Sequence, residues 1–139
     1  MAYEGFTEYS AKKVLELIVG KTAFATPTAY VALYVGDPLG AGVEVSGVDY
    51  AREATAGADW NSATFSSPTA AISNANDIDF GTAGGAWGTV DYVAIFDAAT
   101  AGNMLASGNL TIARPVVLND PVKFPAGTLT IRYTQATIV

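Results

Sequence analysis

After Pro27 the chain consists of short apolar segments that each end in a turn-forming stretch, and this pattern limits the fold more than any other feature. Seven or eight such segments follow one another at roughly ten-residue spacing, which is typical of antiparallel β-sandwiches and small barrels. Segments 28–35 and 87–96 are apolar on both faces, as strands covered on both sides are. We therefore predict a mainly β chain that forms an antiparallel, jelly-roll-like β-sandwich over residues 28–139.

The remaining strands are predicted from weaker alternation of apolar and polar residues. In the last strand Leu129, Ile131 and Tyr133 are expected to face inward. Prolines at 115, 121 and 125 confine the stretch before it to an edge or a loop. Further strands are predicted at 50–55, 58–65 and 72–80, and at 104–113 as the hairpin partner of 87–96.

The N-terminal segment is the one convincing helix of the sequence. Thr7 is a suitable N-cap, and Gly20 suits the left-handed position after the last turn. The helix could cover the sheet, which is the simpler alternative, or dock as an arm on a neighbouring subunit. We predict a single domain, 1–139, with a helical arm at 1–20 before the sandwich at 28–139. The apolar residues at helical spacing are Ala11, Val14, Leu15 and Ile18, and Leu17 widens their stripe.

Histidine and cysteine are absent, which excludes several classes of chemistry. Without them there is no Ser-His-Asp machinery, no thiol nucleophile, no disulfide and no imidazole or thiolate metal ligand. Thirteen acidic residues face seven basic ones, and the formal charge of -6 argues against a nucleic-acid partner. The sequence shows no secretory signal and no apolar run long enough to span a bilayer, so no membrane partner is expected.

Carboxylates are the remaining candidates for catalysis or metal binding. Asp77 and Asp79 lie two apart on a predicted strand and would share a face, a spacing compatible with glycoside hydrolysis. Asn74 and Asn76 extend this group to an oxygen-rich cluster that could attract Ca²⁺, although the spacing is not that of an EF-hand. The simpler interpretation is a solvated strand face, and we predict no enzyme activity, no cofactor and no metal ion.

Aromatic and arginine side chains are the candidates for recognition. Trp60 and Trp87 stand near strand starts, where they could be buried plugs, which is the simpler alternative, or exposed groups that bind carbohydrate or protein. Arginines in strands commonly pair with carboxylates, either within the domain or across an interface. The chain has three arginines, Arg52, Arg114 and Arg132, and we expect Arg132 on the outward face of the last strand to lie at an interface.

An ordered set of short motifs runs over nearly the whole chain. The motifs are Leu33-Tyr34-Val35-Gly36-Asp37-Pro38, Glu44-Val45-Ser46-Gly47, Tyr50-Ala51-Arg52, Trp60-Asn61, Ser73-Asn74-Ala75, Ile78-x-Phe80, Trp87-Gly88-Thr89-Val90, Ala94-Ile95-Phe96-Asp97-Ala98, Gly102-Asn103-Met104-Leu105-Ala106 and Phe124-Pro125-Ala126-Gly127-x-Leu129. This set resembles a family of small structural proteins of tailed bacteriophages, described as tail-fibre-like, head-decoration-like or virion structural proteins. One departure is Asn119-Asp120, where the family pattern predicts Gly-Asp.

The resemblance implies a non-enzymatic component of the virion. Fibre shafts are usually built from repeats or heptads, and the sequence has neither. We therefore expect a capsid decoration or cement protein that binds the shell as a small homo-oligomer, for example a trimer. The alternative is a tail-fibre or baseplate protein that binds a receptor or carbohydrate.

The expected partners are copies of this chain together with the major capsid protein or tail components. The protein would be made in the cytoplasm of the host bacterium and would lie on the surface of the particle. The residues predicted to form interfaces are Tyr3, Phe6, Tyr9 and Lys13 in the arm, and Trp60, Trp87 and Arg132 in the sandwich.

Overall fold

Eleven strands and two helical segments are present in the computed structural model, which describes residues 5–23, 25 and 27–134. The strands are mainly short and all their pairings are antiparallel, as the sequence pattern predicts. In chain order the elements are β1 (Gly5–Phe6), α1 (Glu8–Ile18), β2 (Ala29–Val35), β3 (Val43–Glu44), β4 (Glu53–Thr55), a 3₁₀ turn (Gly57–Asp59), β5 (Thr64–Ser66), β6 (Thr69–Ser73), β7 (Ile78–Thr82), β8 (Gly88–Phe96), β9 (Met104–Val116), β10 (Pro121–Phe124) and β11 (Thr130–Thr134).

The two strands that are apolar on both faces lie side by side in the largest sheet. Its order is β1-β9-β8-β2-β3, and β4 also pairs with β2. Leu33 and Val93 are register partners whose side chains join the main core on one face. Ala32 and Ala94, one position along, belong to a second apolar cluster with Phe96. The prediction of strands covered on both faces is therefore confirmed for β2 and β8.

The main core joins the large sheet to the two smaller ones. These are a three-stranded sheet, β11-β6-β5, and the pair β10-β7. Ile78 and Phe80 of β7, Val122 of β10 and Leu129 before β11 pack in the same cluster as Leu33 of the large sheet. Apolar faces of separate antiparallel sheets thus share one core, which is the sandwich-like arrangement predicted from strand spacing.

Strand β9 is longer than predicted and carries an irregular segment. Its pairing with β8 passes from Tyr92–Asn109 directly to Val90–Arg114, so residues 110–113 oppose Asp91 alone. β9 pairs with β1 only at Ala106 and Ser107, and no described strand pairs with the same edge of β9 over residues 108–116. Free edges of this kind are surfaces to which another polypeptide can bind.

The turn at Asn119-Asp120, where the sequence departs from the family motif, has the backbone conformation that glycine favours. The Asp120 N–H donates to the Val117 carbonyl at 3.1 Å, and Asn119 inside this turn has a φ of 70°. Asparagine tolerates the left-handed region better than most residues with a Cβ. Asn119 can therefore replace glycine here without a change of turn.

Candidate interaction surface

The start of helix α1 is fixed to strand β9 by two hydroxyl side chains. Thr7 is the N-cap, as predicted: its Oγ1 accepts the Ser10 N–H at 3.3 Å. The same hydroxyl donates to the Met104 carbonyl, and Ser10 Oγ donates to the Leu105 carbonyl at 2.6 Å. The backbone N–H of Thr7 also donates to Leu105, at 3.1 Å. These bonds hold the first turn of the helix against the sheet.

The rest of the helix leaves most of its apolar residues uncovered. Leu15 is 65% exposed and Ile18 is 73% exposed, while Val14 is half-buried. Ser10 is the helical residue that is buried. The interpretation of α1 as a cover over the sheet is therefore wrong for this conformation, because the contacts with the sheet are made at the first turn. We call Ala11, Val14, Leu15 and Ile18 the helix face. Gly20 ends the helix in the left-handed conformation, as predicted.

Charged side chains on the same helix pair with one another. Lys12 Nζ lies 2.7 Å from Glu8 Oε1, and Lys13 Nζ lies 3.7 Å from Glu16 Oε2. The hydrogen bond to Lys12 lowers the pKa of Glu8, and the bond to Glu8 raises the pKa of Lys12. Tyr9 is half-buried, with Lys13 Nζ 6.0 Å from its ring centroid. The pairs contribute little stability because one is exposed and the other is half-exposed with a long 3.7 Å separation, but they neutralise the charges within the helix.

A groove of about 1130 Å³ opens beside the helix, between the large sheet and the three-stranded sheet. Its walls are residues 106–111 of β9 and residues 128–134 in and before β11, and the core residues Val93 and Ile95 also line it. Phe6 and Tyr133 stack in its wall with ring centroids 5.1 Å apart. Tyr133 is predicted from the sequence to be an inward-facing core residue, but its side chain is 42% exposed. It lines the groove because the sandwich is open here.

Two polar groups on the groove have no side-chain partner in the part of the chain that the structure describes. Ser107 is a groove residue whose Oγ is buried without a hydrogen bond. Arg132 is exposed on β11, as predicted, and none of its guanidinium nitrogens contacts a described carboxylate or carbonyl. The other arginines differ: Arg114 donates to the Pro121 carbonyl, and Arg52 forms a partly buried ion pair with Glu44.

Neither tryptophan forms an exposed aromatic platform. The indole of Trp87 is 4% exposed, and its Nε1 donates to the Val48 carbonyl at 2.9 Å. Trp60 is half-buried against the main core, and its Nε1 donates to Thr55 Oγ1 at 3.0 Å. Trp87 is therefore a core residue, in agreement with the alternative that it is a buried plug. Sequence alone could not separate the alternatives, because the covering residues are distant along the chain.

The polar side chains of the oxygen-rich cluster at 74–79 form hydrogen bonds within the chain. Asp77 accepts from Lys123 Nζ at 2.7 Å and from the Ala126 N–H at 2.9 Å. Asp79 accepts from the Gly81 N–H. Asn74 is fully buried, and its amide oxygen accepts the Leu129 N–H at 2.8 Å. Within residues 5–23, 25 and 27–134, no three acidic side chains converge where they could hold a metal ion.

The ion pair of Asp77 leads to a pH-dependent prediction. The hydrogen bond from Lys123, followed by that from Ala126, lowers the pKa of Asp77 from its ordinary value of 3.8. A carboxylate with a lowered pKa stabilises the fold above the ordinary pKa, and the contribution is lost as the pH falls through the lowered one. We expect Asp77→Asn to lower the Tm at about pH 6 and to have a smaller effect at about pH 2. An equal loss at both pH values would contradict this account; thermal unfolding followed by circular dichroism measures it.

The sequence analysis found only part of this surface. Phe6 and Arg132 line the groove, whereas Trp60 and Trp87 lie elsewhere. Tyr3 falls outside the described residues. Leu15 and Ile18 were recognised as an apolar stripe but not as interface candidates. The signal that could have found them is the helix length, because eleven residues are marginal for an isolated helix and its stripe must pack against something.

These features define a small antiparallel β protein with an apolar surface left open to another molecule. The family model of the podophage GP4 fiber I protein gp80 matches residues 5–132. The chain therefore belongs to this family of phage virion structural proteins. A search of curated proteins found no match. Among the described residues, no helix is long and apolar enough to cross a membrane.

Proposed function

We propose that this chain is a non-enzymatic fibre component of a phage virion. The family match over residues 5–132 carries this proposal, because the family is described by a fibre protein. The surroundings of Asp77 and Asp79, the two candidate catalytic carboxylates, also support a non-enzymatic role. Asp77 is bonded to Lys123, and Asp79 caps the turn at Gly81. Such carboxylates stabilise turns and strand ends and are poorly placed to act as a pair on a substrate.

The proposed partners are copies of this chain and other components of the tail, met on the surface of the particle after synthesis in the host cytoplasm. The uncovered helix face supports a protein partner, because exposed apolar side chains grouped on one element are typical of assembly surfaces. The net charge of -6 makes DNA and anionic membrane surfaces unsuitable partners. The positions of Trp60 and Trp87 give no support to a carbohydrate-binding role.

Capsid decoration is the second candidate. It is supported by the absence of repeats or heptads from the sequence, because a fibre shaft usually needs one or the other. A single helix of eleven residues fixed to a sandwich is a suitable arm for a small protein that binds a lattice. The two candidates predict different positions on the same particle.

Antibody labelling of intact particles would decide between them. We expect gold particles over the tail when purified virions are treated with antibodies raised against this chain. Antibody absorbed with the purified protein is the control and should leave particles unlabelled. Label over the head would contradict the fibre and favour decoration. If label is absent from virions that are permeabilised as well as intact, and mass spectrometry of the particle finds no peptide of the chain, the virion assignment is wrong.

A further inference from the structure

Strand β1 is short, but the sheet edge along which it pairs continues beyond it. Gly5 pairs with Ser107 and Phe6 pairs with Ala106, in antiparallel register. Strand β9 goes on to Val116, and no described strand pairs with the same edge over residues 108–116. An unpaired edge presents backbone donors and acceptors that a further strand can bind. The residues that precede β1 in the chain are the nearest ones to this edge.

The backbone hydrogen bonds show which groups of β9 face that edge. The Thr7 N–H donates to the Leu105 carbonyl at 3.1 Å, so Leu105 presents its backbone groups to the side of β1. In an antiparallel pair every second residue faces the same neighbour, and the next two along β9 are Ser107 and Asn109. Gly108 lies between them and faces β8. The N–H and the carbonyl of Asn109 therefore point to the unpaired edge.

The register of β1 assigns a partner to each of these positions. Continued toward lower residue numbers, it places Glu4 opposite Gly108 and Tyr3 opposite Asn109. Strand β9 is regular up to this point, because the pairing of residues 108 and 109 with β8 is unbroken. The register of β1 can thus be continued by two residues before the irregular segment of β9 begins.

A strand continued in this way lies in the groove between β9 and β11. Phe6 already stands in the wall of the groove and stacks on Tyr133 of β11. Alternate residues of a strand share a face, so Glu4 follows Phe6 to the groove side, and a glycine at 108 leaves space opposite it. Glu4 is the charged side chain of residues 1–4, and Arg132 is the charged side chain among the described residues that line the groove.

We propose that residues 1–4 extend β1 along β9 of the same chain and close this side of the sandwich. Tyr3 and Asn109 then exchange backbone hydrogen bonds, and the carboxylate of Glu4 approaches Arg132. The segment of the same chain is favoured over one from a second copy, because β1 is already paired here and holds the preceding residues beside the edge. The extension also shields β9 from the addition of a strand of another molecule.

A designed disulfide tests the register, since the chain has no cysteine of its own. In Glu4→Cys/Gly108→Cys the two cysteines occupy a pair without hydrogen bonds, whose Cα atoms are about 4.5 Å apart in antiparallel strands. That distance is within the range of a disulfide. We expect oxidised glutathione to close a disulfide within one chain, detected by peptide mass spectrometry without reduction. Tyr3→Cys/Gly108→Cys is the matched control, because a slip of one residue places the cysteines on opposite faces.

Each other result of the oxidation overturns the proposal. A disulfide between two chains would mean that the segment of one copy pairs with β9 of another. Equal yields for the variant and its control would mean that residues 1–4 have no fixed register on β9. If neither forms a disulfide while circular dichroism shows both to be folded, the segment does not lie at this edge.

Amide hydrogen exchange followed by NMR provides a second test that leaves Gly108 unchanged. We expect the Asn109 amide to be protected in the parent chain and to exchange about tenfold faster in Tyr3→Pro, because proline lacks the N–H that donates to the Asn109 carbonyl. Tyr3→Ala keeps that N–H and should keep the protection. The Gly108 amide faces β8 and should stay protected in all three chains.

An Asn109 amide that is unprotected in the parent chain, or equally protected in Tyr3→Pro, would contradict the proposal. These measurements use the purified chain and do not depend on the labelling of virions. The extension of β1 and the fibre assignment can therefore fail separately.

Discussion

Replacing Asn74 with leucine is expected to lower the free energy of unfolding by about 3–4 kcal/mol. The side chain is fully buried and makes bonds in both directions. Its oxygen accepts the Leu129 N–H at 2.8 Å, and its Nδ2 donates to the carbonyls of Asn76 and Pro125 at 2.8 and 2.9 Å. Leucine has a similar volume but leaves the buried Leu129 N–H without an acceptor and the Asn76 carbonyl without its donor, and each such loss costs about 1–3 kcal/mol.

The matched control is Asn61→Leu, which removes an exposed amide bonded to Ser73 Oγ at 3.1 Å. We expect it to cost less than about 1 kcal/mol, because water can replace the lost partner. Urea denaturation followed by fluorescence or circular dichroism measures both variants. Similar losses of unfolding free energy for the two variants would show that the buried amide of Asn74 contributes no more to stability than the exposed amide of Asn61.

Asn74→Asp provides a separate check on the same site. A buried aspartate would have a raised pKa, because burial disfavours its charged form. The loss of stability relative to the parent chain should then be smallest at low pH and should grow as the pH rises through the raised pKa. If this loss became smaller with rising pH, the side chain would have to be solvated, which contradicts its position in the structure.

The second large effect is expected for Arg52→Lys, which should lower the free energy of unfolding by about 2–3 kcal/mol. Only 7% of the arginine side chain is exposed, and its Nε and Nη2 each lie 2.8 Å from an oxygen of Glu44. Its Nη1 donates to the carbonyls of Ala98 and Ala101 in the turn between β8 and β9, and the guanidinium lies 3.6 Å from the ring centroid of Phe96.

Lysine keeps the charge but cannot reproduce this planar set of donors. The hydrogen bond with Glu44 is also the main reason why the pKa of Arg52 is raised. Arg114→Lys is the control, because Arg114 makes one exposed bond to the Pro121 carbonyl. A double-mutant cycle with Glu44→Gln should give a coupling energy of about 1 kcal/mol or more. Equal losses for Arg52→Lys and Arg114→Lys would contradict the role assigned to Arg52.

Tyr50 connects this ion pair to the core. Its hydroxyl donates to Glu44 Oε1 and accepts the Leu33 N–H at 2.9 Å, and burial raises the pKa of the phenol. The Glu44, Tyr50 and Arg52 side chains thus tie together the edge of the large sheet, its central strand and a distant turn. The motif Tyr50-Ala51-Arg52, which the sequence analysis gives as part of a family pattern, therefore has a structural role: its two polar side chains hold these parts of the sheet together.

Much of the fold could be predicted because local rules decide it. The runs at 28–35 and 87–96 became β2 and β8 because continuous apolar residues need cover on both faces. Thr7 became the helix cap because its hydroxyl can accept a bond from the next turn. The partners of Asn74 and Arg52 could not be predicted in this way. The Leu129 N–H that occupies the amide of Asn74 is 55 positions away, and no local pattern points to it.

The sequence by itself determined that this chain is β-rich, has one amphipathic helix and lacks the side chains of thiol and imidazole chemistry. Those properties depend on residue type and on periods of two to four residues. The tertiary structure decided which apolar residues remain outside. Bonds from Thr7 and Ser10 to carbonyls almost a hundred positions away fix the start of α1 and leave Leu15 and Ile18 uncovered, and the separation of β9 from β11 opens a groove beside them. Because burial depends on what the rest of the chain brings near, an apolar stripe that the sequence assigns equally well to a core lies on the surface of this chain.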